Sequence, residues 1–552
     1  MTGARGSSTQ VADRPSPAGK TRVSVPAAIL TGVLAVGAAL GVSNFVAGIV
    51  NPPSTPFLAV GNAAIDRTPK GLREFGISTF GANDKPVLLL GVAIAMVILG
   101  VVAGLISRRS ATPGIALVGL LGVVGLLAVH SRPNTTTAGL LSPVVAVVAG
   151  VGVLLLLRRV ALSGQQSRRR TGTAESSVDD SAADGAHAVS SGSHGLSRRG
   201  FIGTSAGVAV VAAGAGYAGQ RLGSVNVGGS QASVGDLKAA DPLPKLAANA
   251  DFTKDNGLPF ITSNKDFYRV DTALGKGPAL RAQDWSLRIH GMVDKEITLS
   301  FDELVSRKLI QKRLTFTCIS YVIGSQLVST ADWVGVSLAD LLAEAKPQKG
   351  AEQLFSTSAD GYTASTPLDA AMDSDRGSML AVNMNGVPLP QEHGFPVRMI
   401  VPGFYGYCSA TKWLVDLEVT TFAAKQAYWT PRGYAKVAPV KIGSKIVFPQ
   451  GLSAPIPQGT VIATGTAWAQ PNGVKKVETK LDDGPWTETR LGADQGPSTW
   501  RMWRIDLPKV SAGNHFLTVR ATDGKGTPQT EKMTNVLPDG QSGYQQINFS
   551  VK

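Results

Sequence analysis

Cys318 closes the run LTFTCISYVIG, whose first half alternates apolar and polar residues in the manner of a strand. A lone thiol at a strand-to-loop junction can project into a pocket, and its thiolate is a soft ligand suited to a soft metal. The plainer reading is a small buried hydrophobe. Only one other cysteine is present, Cys408, and two thiols make no disulfide framework. Further on, MNGVPLPQEHGFPVRMIVPGFYGYCSATKW carries His393, Arg398 and Lys412. Arginine forks, a lysine point charge and an imidazole are suited to capturing an anion. The loop GYCSATK can add backbone donors at Ser409, Ala410 and Thr411. Taken singly, His393 reads as a structural histidine and Lys412 as a solvated charge.

Together with NKDFYRVDTAL, these stretches follow one another in an order that resembles the sulfite oxidase family of molybdenum enzymes. The most specific part is Met384-Asn-Gly386, Pro388-Leu-Pro390, His393-Gly394, Pro396, Arg398, Val401-Pro-Gly403, Gly406 and Lys412-Trp413. The resemblance spans about 250–552. It implies an α+β molybdopterin domain followed by an immunoglobulin-like β-sandwich through which the family dimerises. It also implies molybdenum held by a pterin dithiolene and one protein thiolate, Cys318. Tyr268, Arg269, His393, Arg398, Ser409, Ala410, Thr411 and Lys412 match positions that bind the molybdopterin, whose mononucleotide or dinucleotide form stays open. A Cys318–Cys408 bond would remove the metal ligand, so none is expected.

The reaction implied is two-electron oxygen-atom transfer on a small or protein-bound oxo substrate. Vertebrate and plant sulfite oxidases carry an Asn-Arg-Arg run shortly after the ligand cysteine. Here Ser320-Tyr-Val-Ile323 fills that neighbourhood, which argues against sulfite. Arg432 in YWTPRGY is the nearest candidate substrate-side cation, with Tyr428 and Tyr434 as catalytic hydroxyl donors. The alternative for all three is a surface linker. A sulfoxide reductase of the same family and a non-catalytic binding module remain the rival functions. The four-helix part holds one histidine, His130, and a membrane haem would need two axial histidines. No internal haem is therefore expected, and electrons pass to or from a separate partner.

The elements that must position these groups follow from composition. At 552 residues several domains are required. Lys and Arg number 53 against 39 Asp and Glu, a net charge of +14, yet charged residues are only 17% and the mean hydropathy is +0.10. Arginines sit at the ends of apolar runs, as membrane topology demands, and no aromatic-interleaved basic groove points to nucleic acid. Residues 1–22 read as a disordered cytoplasmic N-terminus and 23–157 as four membrane helices, near 25–50, 86–106, 114–130 and 139–157. A cytoplasmic linker follows over 158–197.

Ser197-Arg-Arg199 with Phe201-Ile202 resembles a twin-arginine export signal, leading into a fifth helix over 198–222. An ordinary fifth helix with a basic flank is the alternative. Either way the chain beyond about 222 lies outside the cytoplasm, after a linker over 223–245. The oxidoreductase domain is expected over 245–435. Within it, Ser300-Phe-Asp-Glu303 and Ser337-Leu-Ala-Asp340 are helix starts. TVIATGTAW, VKKVETKLDD, WRMWRIDL and HFLTVRATD read as strands of the sandwich over 450–552.

Overall fold

The computed structural model describes residues 22–50, 54–69, 71–72, 79, 84–132, 137–174, 198–273, 277–451 and 455–552. Residues 1–21 of the expected disordered N-terminus (1–22) and 175–197 of the expected linker (158–197), with Ser197 of the expected export motif, lie outside the described residues. The chain forms two compact units. One comprises Met1–Val46, Pro86–Leu126 and Leu141–Ala218, and the other Ala47–Lys85, Leu127–Leu140 and Gly219–Lys552.

The first unit is built mainly from parts of the helices Val25–Val50, Asp84–Ile106, Thr112–His130, Leu141–Ala174 and Arg198–Val234. All five contain segments long and apolar enough to cross a membrane. Their large apolar side chains face outward: Leu90 is 60% exposed, Val148 67% and Val210 71%. Such a surface is stable in lipid and costly in water. The helices meet through small residues. A Cβ on Gly104 would stand 1.9 Å from the Ala28 carbonyl oxygen, and one on Gly32 1.9 Å from that of Gly100.

Two helices outrun their expected ends. Leu141–Ala174 continues through arginines assigned to the linker, and Arg198–Val234 runs into the stretch 223–245 assigned to another. Neither extension contains proline, and adding residues to an existing helix costs far less than starting one. A further helix, Pro56–Arg67, begins on a proline inside what reads as a loop.

In the second unit ten strands form two sheets: β1 Ser286–Gly291, β2 Ile297–Ser300, β3 Leu309–Thr317, β4 Val328–Ser337, β5 Gln353–Ser358, β6 Thr363–Pro367, β7 Met379–Met384, β8 Val387–Pro388, β9 Arg398–Ile400 and β10 Leu414–Thr420. One sheet runs β2-β1-β10-β5-β6, and the other β3-β4-β7-β8 with β9 paired to β7. Short helices fill the connections, an α+β arrangement. Ser300 caps Phe301–Val305 with both halves of a capping box, while Ser337 accepts only the Asp340 amide.

Eight more strands form the C-terminal part: β11 Gly443–Phe448, β12 Gly459–Trp468, β13 Val474–Leu481, β14 Thr487–Glu488, β15 Arg490–Leu491, β16 Arg501–Val510, β17 Gly513–Asp523 and β18 Gln545–Val551. They make two four-stranded sheets, β11-β12-β16-β15 and β14-β13-β17-β18. Val461 and Trp503 from one sheet and Val477, Leu517 and Phe549 from the other share one buried core, so this part is a β-sandwich.

The sandwich grips the edge strand β3. The Trp500 amide donates to Thr315 Oγ1 at 2.6 Å, and the Gln470 side-chain amide donates to the Thr315 carbonyl at 2.7 Å. In return the Thr315 amide donates to the Ser498 carbonyl at 3.0 Å. This clamp holds β3 three residues before Cys318.

Candidate active site

β3 and β4 pair from Leu309↔Val336 to Thr317↔Val328, and Cys318 is the first residue beyond that ladder. Its amide still donates to the Leu327 carbonyl at 3.0 Å, so the thiol leaves a fixed strand end. The side chain is 7% exposed and lines a cleft whose free volume, counted out to its mouth, is about 900 Å³. Burial raises the thiol pKa, while the Ser320 amide, 3.4 Å from Sγ, and the Lys412 charge pull it back. Cys408 is also free, but it is buried with its Sγ 3.3 Å from the Tyr405 carbonyl and does not line the cleft. Desolvation pushes its pKa to about 12.

Arg398 begins β9, opposite Ala381 of β7. Its guanidinium lies 5.0 Å from the Phe316 ring centre and 5.1 Å from that of Trp333, two rings that stack at 5.0 Å. It donates to the carbonyls of His393 at 3.2 Å and Ala410 at 3.3 Å. Its buried Nε has no hydrogen-bond partner, and it makes no ion pair with a carboxylate among the described residues. Desolvation lowers its pKa to about 10. A buried cation without a counter-charge is unfavourable unless an anion joins it.

Lys412 donates to Asp271 Oδ2 at 2.9 Å and to the Glu392 carbonyl at 3.0 Å. Burial lowers its pKa to about 8, with Asp271 acting in the opposite sense. Asp271 also receives Arg269 Nε at 2.9 Å, so Arg269 is tied to a carboxylate and its side chain does not line the cleft. His393 is 2% exposed, with Nε2 2.9 Å from the Asn264 carbonyl. Desolvation takes its pKa to about 4. The imidazole is therefore neutral at pH 7 and carries its proton on Nε2, since a carbonyl only accepts. Tyr268 lines the cleft beneath Phe267, and burial keeps its hydroxyl protonated.

Residues 274–429 match the family model described as oxidoreductase molybdopterin binding domain. The mitochondrial sulfite oxidase of Homo sapiens is 30% identical over 329 residues, covering 51% of this chain and 57% of that protein. This chain thus carries a molybdopterin-binding oxidoreductase domain similar to those of sulfite oxidases and nitrate reductases. The NADPH nitrate reductase of Emericella nidulans is also 30% identical, over 48% of this chain and 38% of its own length. The chain spans about half the length of the curated relatives it matches. A solved structure, the sulfane dehydrogenase SoxCD of Paracoccus pantotrophus, aligns with a TM-score of 0.46 at 23% identity, over 58% of this chain and 91% of that one.

The cleft gathers Cys318, Tyr268, His393, Arg398, Ala410, Lys412 and Tyr434. The side chains of four other expected residues are engaged elsewhere. The Ser409 hydroxyl donates to the Phe404 and Tyr405 carbonyls, both at 3.1 Å. Thr411 Oγ1 pairs with Ser356 Oγ at 2.7 Å. Arg432 stacks on the Tyr428 ring at 3.7 Å and donates to the Tyr428 carbonyl, so neither residue lines the cleft. The loop is also a poorer donor than expected, because the Ala410 amide is held by the Gly406 carbonyl at 3.1 Å. The cleft adds groups that sequence reasoning did not single out: Asp271, Asp360, Tyr362, Tyr407 and Trp429.

The fit to a molybdopterin rests on the donor set. One thiol is fixed at a strand end, and two buried cations share its cleft. One of those cations has an unpartnered N–H. Such residues suit a ligand that combines a soft metal with an anionic group.

Proposed function

We propose that this chain is a membrane-anchored molybdenum oxidoreductase performing two-electron oxygen-atom transfer, with its cofactor domain and immunoglobulin-like sandwich on the extracytoplasmic side. The observation that carries the reading is Arg398, a buried cation lacking a carboxylate partner among the described residues, in the same cleft as the Cys318 thiol. The cofactor supplies a molybdenum centre that cycles between its VI and IV states. Cys318 holds the metal. Arg398 and Lys412 hold the pterin's phosphate. His393, neutral and fixed through Nε2–H, keeps its ring in place beside them. Phe267, stacked against Tyr268, helps keep water from the buried cations.

Sidedness is supported by Arg108-Arg109 and Arg158-Arg159 at alternate helix ends, and by Arg198-Arg199 at the start of the last apolar helix. Electrons pass to or from a separate redox partner, and the sandwich is available to form a homodimer. Molybdenum and pterin analysis of the full chain, made where cofactor synthesis is intact, tests the reading. About one molybdenum per chain is expected. Cys318→Ser should abolish turnover and change the metal's electron paramagnetic resonance signature, and unchanged turnover removes Cys318 as the ligand. Replacing Arg198 and Arg199 by Lys should leave the first four helices inserted while stranding the enzyme domain in the cytoplasm. Export of an active domain by that variant would mean an ordinary fifth helix.

A further inference from the structure

We infer that the cleft takes an uncharged organic sulfoxide as its oxo substrate, in preference to an oxyanion such as sulfite; this rests on the molybdenum reading above. Recognition of a small oxyanion needs convergent cations that remain free for it. Among the described residues, the only Lys or Arg side chains lining the cleft are Arg398 and Lys412. Lys412 is already paired with Asp271, and Arg398 lies against two stacked rings as the counter-charge for the cofactor. Beside the thiol stands Ser320, and Arg432 is turned onto Tyr428. The wall also presents the Asp360 carboxyl, which receives the Tyr362 amide at 3.1 Å and has no cation partner among the described residues. That wall therefore adds an acid and no cation, and burial raises the acid's pKa.

What the cleft offers instead is aromatic surface. Tyr407 and Trp429 flank Tyr434, with ring centres 5.6 and 5.1 Å from it. The Tyr407 hydroxyl donates to the Ala435 carbonyl at 2.6 Å, and the Tyr362 hydroxyl donates to the Tyr407 carbonyl, so both rings are held in place. Tyr434 makes no side-chain hydrogen bond among the described residues, which leaves its hydroxyl to donate to a sulfoxide oxygen. Rings of this kind accept apolar substituents and polarisable sulfur.

In the reaction, one sulfoxide takes up two protons and two electrons and yields one sulfide and one water. The S–O bond breaks, the sulfur is reduced, and the oxygen leaves as water carrying both protons. The electrons come from a one-electron carrier, reduced viologen in the assay, of which two are oxidised per turnover.

The test uses full-length, cofactor-loaded protein in detergent. Methyl phenyl sulfoxide and dimethyl sulfoxide are assayed with reduced viologen, and sulfite is assayed with ferricyanide. Molybdenum and pterin are quantified on the same samples. The value of kcat/KM for methyl phenyl sulfoxide should exceed that for sulfite by about 100-fold. Trp429→Ala should raise KM about tenfold for methyl phenyl sulfoxide and little for dimethyl sulfoxide, with kcat unchanged. Tyr434→Phe should lower kcat/KM for both sulfoxides. Calorimetric titration with methyl phenyl sulfone, which matches the shape but resists reduction, should show binding that Trp429→Ala weakens. Loaded protein that prefers sulfite, or that reduces neither sulfoxide, overturns the inference and leaves the molybdenum reading standing. Protein without molybdenum overturns both.

Discussion

Replacing Arg398 by Met separates the anion-binding role of this residue from a structural one. An arginine ordinarily keeps its proton to about 12.5, but here desolvation brings that down to about 10. At ~1.36 kcal/mol per pH unit, burial of the charge costs about 3 kcal/mol. The sign is that of a base with a lowered pKa in the folded state. The unfolded chain holds the proton more tightly, so the cost is fully present at pH 7 and is relieved only as pH rises through about 10. Contacts with Phe316 and Trp333 return about 2 kcal/mol. The hydrogen bonds to the His393 and Ala410 carbonyls add about 1 kcal/mol each. These terms nearly cancel, and Met fills a similar volume without the charge.

The cofactor-free protein should therefore keep its stability to within ~1 kcal/mol when Arg398 becomes Met. Retention of the cofactor should fall by about 10- to 100-fold, since a charge-assisted bond to an anion contributes about 1.5–3 kcal/mol. Urea unfolding followed by tryptophan fluorescence gives the first quantity, on protein from a host lacking pterin synthesis. Pterin and molybdenum content after dialysis of loaded protein gives the second. A variant that loses about 3 kcal/mol or more without cofactor, yet retains the cofactor as the parent does, refutes the reasoning and makes Arg398 a structural cation.

Two further perturbations read other parts of the molecule. Lys412 loses its proton near pH 8 in the cofactor-free cleft, and a bound anion raises that pKa, so cofactor affinity should fall as pH rises above about 8. Pterin release, followed by fluorescence after oxidation, should quicken between about pH 7 and pH 9 and lose this dependence in Lys412→Arg; a flat profile in the parent protein contradicts the assignment. In the long apolar helices, Gly104→Leu forces a side chain against the Ala28 carbonyl, where even a Cβ would come to 1.9 Å. It should separate Val25–Val50 from Asp84–Ile106 and lower the detergent melting temperature by several degrees, about 1–3 kcal/mol of overpacking; an unchanged melt places no tight contact there.

How much of the site was legible depends on whether residue type and spacing constrain it. Arg398 lies on a three-residue strand paired to β7, in a stretch where nearly every residue is buried, so a charge there stands out against its neighbours. Cys318 stands out because a strand-like alternation stops beside it. Asp271 and Asp360 left no such signal. Each is a single acid in an ordinary loop, made significant only by the chain segments folded against it. Arg432 fails in the opposite way. It is close in sequence to the cleft-lining Trp429 and Tyr434, but the turn Thr430–Arg432 folds its side chain back onto Tyr428. Proximity along the chain then says nothing about which way a flexible cation points.

The same limit applies at a larger scale to the sandwich. Its strands were legible from their alternation, yet alternation reports only which face of a strand is buried, not what its loops touch. Thr315 is fully committed by this contact: its amide, carbonyl and hydroxyl are all bonded to residues between Gln470 and Trp500. An edge strand held on its open side in this way cannot slip in register without breaking those bonds. A one-residue slip of β3 would turn the Cys318 side chain to the opposite face of the sheet, away from the cleft. The C-terminal domain thus has a local function that requires no second subunit, because it fixes the register on which the position of the thiol depends.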